Sequence, residues 1–203
     1  MQNDLFIDEY DLDHTVCDGL LKLYDDCKEV SKPGAIGSFN QRVDHSIKKC
    51  TDLFWDDIPK TGIKSHPKYK DEQYLNHLMH CVWQYSNKYL NGYQLVMYGG
   101  PRFQYYQPNE AFYREHFDAM HSTQSRVVAY ITYLNTLTDG GGTYFIHQQH
   151  TVQPTKGKTI LFPPHYTHRH KGIVSPTQHK YIITGWFTSV SYTHLRAHET
   201  SYD

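Results

Sequence analysis

The chain has 203 residues, a formal net charge of −1, and 20 lysines and arginines spread along its length. That size allows one domain with its own core, and the charge balance argues against a nucleic-acid or membrane surface. The apolar runs, such as Tyr181-Ile182-Ile183, are a few residues long and fall far short of the roughly 20 residues a membrane-spanning helix needs.

The N-terminal Met1-Gln2-Asn3-Asp4 is polar and acidic, without the basic-then-apolar order of a secretion signal. Cys17, Cys27, Cys50 and Cys81 form no CxxC pair. They read as free thiols of a reducing compartment, so the expected location is cytoplasmic. From Asp13 onward, Val16, Leu20, Leu23, Tyr24 and Cys27 recur at intervals of three and four, which predicts a helix capped by Asp11 or Asp13. Residues 31–70 carry Lys32-Pro33-Gly34, Pro59 and Pro67 and read as loop with short helical turns. A second helix is predicted over 71–90, with Leu75, Leu78, Val82, Tyr85 and Tyr89 as its apolar stripe.

The second half changes character. Segments 93–98, 102–106, 112–118, 127–135, 143–147, 158–162 and 180–188 are short and rich in β-branched and aromatic residues. Asp139-Gly140-Gly141-Gly142, Pro154 and Pro163-Pro164 separate them. Many short strands after a helical segment predict a mainly β fold, a jelly-roll barrel with N-terminal helices packed on one sheet. The last stretch, Val190 to Thr200, resembles the translation of a transposon-type sequencing adapter. Residues 190–203 are therefore expected to lie outside the natural protein, and His194 and His198 are not candidate ligands.

His116-Phe117-Asp118 is the chemical focus. On a strand, residues two apart share a face, so an imidazole and a carboxylate can reach one metal together. HxD alone is a weak signal; a third ligand is needed from a later segment, and His165, His168 and His170 are the candidates. Two histidines and one carboxylate on one face of a metal leave positions open for a cosubstrate and dioxygen. A structural zinc site would instead be closed, commonly by cysteine.

Around these residues the sequence resembles the prolyl 4-hydroxylase-like 2-oxoglutarate and Fe(II)-dependent dioxygenases. The resemblance runs from about Tyr98 to Phe187. It comprises Tyr113-Arg114-Glu115-His116-Phe117-Asp118, Arg126-Val127-Val128, Tyr133-Leu134-Asn135 and Gly141-Gly142-Thr143-Tyr144-Phe145. Val152-Gln153-Pro154 with Gly157, Leu161-Phe162-Pro163, His170-Lys171-Gly172, Lys180-Tyr181 and Trp186 follow in order. Each piece is common; the ordered set is hard to produce by chance.

The resemblance implies a double-stranded β-helix of cupin type and a dioxygenase that hydroxylates an unactivated carbon, with succinate and CO2 as coproducts. It implies Fe(2+) and 2-oxoglutarate, with L-ascorbate keeping the iron ferrous. The family's distal ligand sits in an H-x-G with a basic residue about ten positions later. That selects His170, followed by Gly172 and Lys180, as the partner of His116 and Asp118. Lys180 is then the cation for the far carboxylate of 2-oxoglutarate, a charge that cannot leave water unpaired. Tyr106, Tyr133 and Thr143 are implied cosubstrate contacts, and Arg126 and Trp186 lie where such enzymes meet substrate. Lys180 and Trp186 are six apart and should share a strand face, whereas Arg126 and Tyr133 are seven apart and need a bulge to do so. The chain departs from the family at Pro108-Asn109-Glu110, where the turn usually carries Pro-Gly; asparagine tolerates positive φ better than most residues.

The expected organisation is a helical support region at 1–96, the dioxygenase core at 97–189 and the foreign tail at 190–203. The substrate is a peptide or a small molecule, and the oligomeric state is not readable. Two rivals stand beside this reading. One is a zinc hydrolase on the same histidines, against which the chain lacks HExxH. The other is a catalytically silent binding module on the same barrel.

Overall fold

Asp13 does cap the first helix: its side chain accepts a hydrogen bond from the Thr15 amide, and helix α1 (His14–Cys27) buries Val16, Leu20, Leu23, Tyr24 and Cys27. The structure, a computed structural model, describes residues 4–37, 41–58 and 68–189. Pro59, Pro67 and the adapter-like segment from 190 lie outside the described residues. In chain order, β1 (Asp8–Asp11) precedes α1, and β2 (Lys32–Pro33) and β3 (Thr51–Phe54) follow it. Then come α2 (Lys68–Tyr89), β4 (Leu95–Tyr106), β5 (Arg126–Tyr133), β6 (Thr143–Phe145) and β7 (His150–Val152). The last strands are β8 (Lys158–Phe162), β9 (His170–Gly172) and β10 (Lys180–Ser189).

The strands form a seven-stranded antiparallel sheet, β1-β8-β5-β10-β4-β3-β2, and a three-stranded sheet, β7-β6-β9. The outer face of the large sheet carries both helices. Phe103, Val128, Tyr130, Leu161, Ile183 and Phe187 pack there against Leu20, Leu23, Tyr74, Leu78 and Tyr85. The inner face meets the small sheet through Ile131, Tyr133, Phe145, Ile160, Phe162 and Ile182. A strand covered on both faces reads as a continuous apolar run rather than an alternation, which is why Val128–Tyr133 is buried throughout. This is a double-stranded β-helix with helices on one sheet. All four cysteines are buried and none forms a disulfide among the described residues, and no described helix is long and apolar enough to cross a membrane.

Several elements differ from the sequence reading. Segments 93–98 and 102–106 are one strand, β4, because Gly99 adopts φ +69° and absorbs a bulge. There Gly99-Gly100-Pro101 lie opposite the single Gly185. Segment 112–118 is not a strand but an irregular run, bent at Arg114 and Asp118 and pinned at two isolated bridges, Lys48 to Phe112 and His116 to His170. Strands β1, β2 and β3 come from the region read as helical and looped, and they complete the large sheet. On α2 the buried apolar positions are Tyr74, Leu78, Cys81, Val82 and Tyr85, while Leu75 is half-buried. Asn109 takes φ +65°, so it does supply the turn conformation that glycine would otherwise provide. Its amide donates to the Ser175 carbonyl at 2.8 Å.

Candidate active site

His116, Asp118 and His170 converge although no continuous strand carries the first two. The His116 amide donates to the His170 carbonyl at 3.0 Å, and the His170 amide returns to the His116 carbonyl at 2.9 Å. The Asp118 amide is held by the Pro164 carbonyl at 2.9 Å. Together these bonds turn the three side chains inward, with one candidate ligand atom from each lying within 4.8 Å of the others.

The imidazole tautomers follow from their partners. His116 Nδ1 lies 3.1 Å from the Arg114 carbonyl oxygen, and His170 Nδ1 lies 2.9 Å from that of His168. A carbonyl oxygen only accepts, so each Nδ1 carries the proton and each Nε2 offers its lone pair to the centre. Burial and the nearby His170 push the His116 pKa down to about 4, so the ring is neutral at ordinary pH. Burial alone would raise the Asp118 carboxyl, but His170, His116, the Trp186 indole and Arg126 together hold it below the usual range. A neutral His116 imidazole and a charged Asp118 carboxylate are donors of the deprotonated kind a divalent metal requires, and His170 Nε2 completes the set. The rings are wedged in place: Phe112 stacks on His116 at 3.7 Å between centroids, and Phe145 and Phe162 flank His170 at 5.6 and 5.0 Å.

Lys180, Thr143, Tyr106 and Trp186 line the same cavity as the three side chains. Lys180 is 5% exposed, and no hydrogen-bond acceptor or carboxylate pairs with its ammonium among the described residues. Its Nζ lies 5.2 Å from the Tyr106 ring centroid and 5.7 Å from that of Tyr133. Burial depresses its pKa to about 8, with Cys50 the lesser, opposing influence. The Tyr133 hydroxyl does not face the cavity openly; it shares a 2.6 Å hydrogen bond with Thr143 Oγ1. Asn135 fixes the start of β10 beside Lys180, accepting from the Tyr181 amide at 2.9 Å and donating to the His179 carbonyl at 2.8 Å.

Trp186 shares the inward face with Lys180, as the six-residue spacing predicts. Arg126 reaches the face of Trp186, with 3.5 Å between the guanidinium carbon and the ring centroid. The required bulge exists: Phe187 pairs with Val128 and Thr188 with Arg126, leaving Val127 as the extra residue. Arg126 Nη1 donates to the Asp118 carbonyl at 3.0 Å. His168 lies in a helical turn, not on β9, with Nε2 2.9 Å from the Leu5 carbonyl oxygen, and it is not among the converging side chains.

Sequence reasoning missed a buried polar group on the flank of the cavity. Asp52 on β3 accepts from Lys48 Nζ at 2.9 and 3.2 Å, Cys50 Sγ at 3.1 Å and Gln104 Nε2 at 3.1 Å. Gln104 Oε1 in turn accepts from the Tyr106 hydroxyl at 3.0 Å. Alternation along β4 was the available signal: if Tyr106 points inward, so do Gln104 and Arg102.

A double-stranded β-helix that turns two imidazoles and one carboxylate into one cavity, leaving other metal positions open, is the arrangement of the non-haem iron oxygenases. Residues 101–188 match the family model of the 2OG-Fe(II) oxygenase superfamily. That segment is similar to 2OG-Fe(II) oxygenase domains, which supports a 2-oxoglutarate-dependent dioxygenase, and the chain shares its double-stranded β-helix fold with prolyl 4-hydroxylases. Among solved structures, a Pseudomonas putida prolyl-4-hydroxylase is similar at TM-score 0.66 and 19% identity, over 92% of this chain and 94% of its own. The viral collagen prolyl hydroxylase of Paramecium bursaria Chlorella virus-1 is similar at 0.63 and 17%, over 91% and 97%. A Trichoplax adhaerens prolyl hydroxylase, solved with a hypoxia inducible factor peptide fragment, is similar at 0.71 and 14%, over 98% and 89%. No curated protein sequence matches the chain.

Proposed function

We propose that this dioxygenase hydroxylates an unactivated carbon of a peptide or small-molecule substrate, with succinate and CO2 as coproducts. His116, Asp118 and His170 hold Fe(II) in this reading. The donor set fits, because both Nε2 lone pairs and a carboxylate held in its charged form meet at one point. Bound iron and 2-oxoglutarate supply the oxygen-activating chemistry; the chain's own residues bind, orient and exclude water. Residues 97–189 hold every side chain assigned here. Residues 1–96 support them, and 190–203 is an adapter-derived tail.

One observation carries the reading: a buried ammonium without an anion faces the cavity that holds the three converging side chains. A buried charge is costly unless partnered, so its partner is a ligand. Lys180 takes the far carboxylate of 2-oxoglutarate. The hydroxyls of Tyr106 and Thr143 contact the cosubstrate, and Tyr133 holds the Thr143 hydroxyl in place. Arg126 and Trp186 border the substrate opening. L-Ascorbate is the proposed reductant for iron that becomes oxidised without substrate. A prolyl residue in a peptide is the leading substrate class. The prolyl hydroxylases among the solved neighbours support it, though at 14–19% identity.

The test is 2-oxoglutarate consumption. Protein with Fe(II), 2-oxoglutarate and dioxygen should form succinate, and metal-free protein should form none. Metal-dependent hydrolysis of an ester or amide without consumption of 2-oxoglutarate would favour the zinc enzyme. Absence of both activities would favour the silent module.

A further inference from the structure

Arg102 projects from β4 into the same cavity. Its guanidinium carbon lies 5.6 Å from the Phe54 ring centroid and 5.5 Å from that of Trp186. The two rings hold the group in place, and its side chain is 19% exposed. Its nearest anion is Asp52, with 3.5 Å between Nη1 and Oδ2. That carboxylate is already engaged by Lys48, Cys50 and Gln104. No hydrogen-bond acceptor serves any of the five Arg102 N–H groups among the described residues, and its Nε is fully buried without one. Lys48, Asp52 and Arg102 together carry one net positive charge, and of the three Arg102 lines the cavity.

This is not a second clamp for 2-oxoglutarate. In the sheet, Lys180 pairs with Tyr106, whereas Arg102 pairs with Thr184, four residues further along both strands. At roughly 3.3 Å per residue, the two rows are about 13 Å apart along the backbone, which is more than a five-carbon dicarboxylate spans. Arg102 lies toward Trp186, the end assigned to substrate.

We infer that Arg102 is an anion subsite, and that the compound oxidised by this enzyme carries a carboxylate beside the reacting carbon. The inference rests on the dioxygenase reading above and narrows its substrate class. A planar guanidinium suits a carboxylate, which its η nitrogens can meet with charge-assisted hydrogen bonds. The aromatic clamp fixes its orientation before binding, so little freedom is lost when the anion arrives. The carboxylate is either the C-terminus of an amino acid or an acidic side chain of a peptide.

The experiment compares acids with matched amides by calorimetry on the unmodified full-length protein, with and without Fe(II) and 2-oxoglutarate under anaerobic conditions. One pair is N-acetyl-L-proline and N-acetyl-L-prolinamide. The other is the doubly blocked dipeptides Ac-Glu-Pro-NH2 and Ac-Gln-Pro-NH2. The acid of at least one pair should bind tenfold or more tightly than its amide, and the pair that does so identifies the source of the carboxylate. Arg102→Gln should erase the difference, and Arg102→Lys should keep part of it, with the affinity for 2-oxoglutarate unchanged in both. Equal binding within both pairs, or no binding of any probe, overturns the inference. So does an Arg102 variant that weakens 2-oxoglutarate instead. The affinity of the unmodified protein for 2-oxoglutarate, measured on the same samples, judges the dioxygenase reading separately.

Discussion

Replacing Lys180 by methionine should make the cofactor-free protein more stable and the enzyme useless. The two side chains are of similar length, and Lys180 already lies between the Tyr106 and Tyr133 rings, so packing is largely kept. What changes is the charge. A lysine whose pKa falls from 10.5 to about 8 in the folded state disfavours its own protonated form by about 3 kcal/mol, at roughly 1.4 kcal/mol per pH unit. The unfolded chain binds this proton up to pH 10.5, whereas the folded chain releases it near pH 8. Stability of the unsubstituted protein therefore rises with pH across that window, and the full penalty applies below it. Lys180→Met removes the penalty. Its gain should approach about 3 kcal/mol at pH 7 and shrink toward zero as pH climbs to 10.5. Urea unfolding of both proteins, with metal and 2-oxoglutarate withheld, measures this. The same ammonium is what the cosubstrate needs, so 2-oxoglutarate affinity of the unsubstituted protein should fall about tenfold per pH unit above pH 8, and the methionine variant should bind weakly at every pH. A variant that is less stable at pH 7, with 2-oxoglutarate affinity unchanged, would refute both the buried unpaired charge and its role.

Three further outcomes follow from the geometry. His170→Ala should lose iron and turnover, whereas His168→Ala, which removes a bond to the Leu5 carbonyl, should keep both; metal content by elemental analysis decides. Asp52→Asn should cost roughly 3–5 kcal/mol in denaturant unfolding, because it strands the buried Lys48 ammonium; a loss under 1 kcal/mol would mean that the pair is not buried as described. A chain ending at Ser189 should keep its Tm within a few degrees, since the core and every assigned side chain precede that point; a large drop would show that residues 190–203 belong to the fold.

The parts of the fold visible in the sequence were those with a long period or a strong cap. Asp13 and the three-and-four spacing of α1 are local signals, and tertiary packing only confirms them. Strands β1, β2, β7 and β9 have two to four residues each, too few for alternation to be seen, and they exist because a neighbouring strand templates them. The grouping of His116 with Asp118 came from strand parity, yet the structure achieves it by another route. A loop is pinned by the His116–His170 bridge and by the Pro164 carbonyl, and both contacts come from distant sequence. Parity did serve on β10, where Lys180 and Trp186 share a face across six residues. The Lys48–Asp52–Arg102 group could not be read, because β3 lies in a stretch whose prolines and short length read as loop, and the pairing of Asp52 with Gln104 spans some fifty residues.

The central claim is that His116, Asp118 and His170 hold iron while Lys180 holds the far carboxylate of 2-oxoglutarate. A crystal structure grown anaerobically with Fe(II) and 2-oxoglutarate tests it most directly. The account predicts the metal within about 2.0–2.3 Å of His116 Nε2, His170 Nε2 and an Asp118 oxygen, with a carboxylate of 2-oxoglutarate on Lys180 Nζ. A metal bound by His168 in place of His170, or a cosubstrate carboxylate paired with Arg102 while Lys180 stays bare, would contradict it.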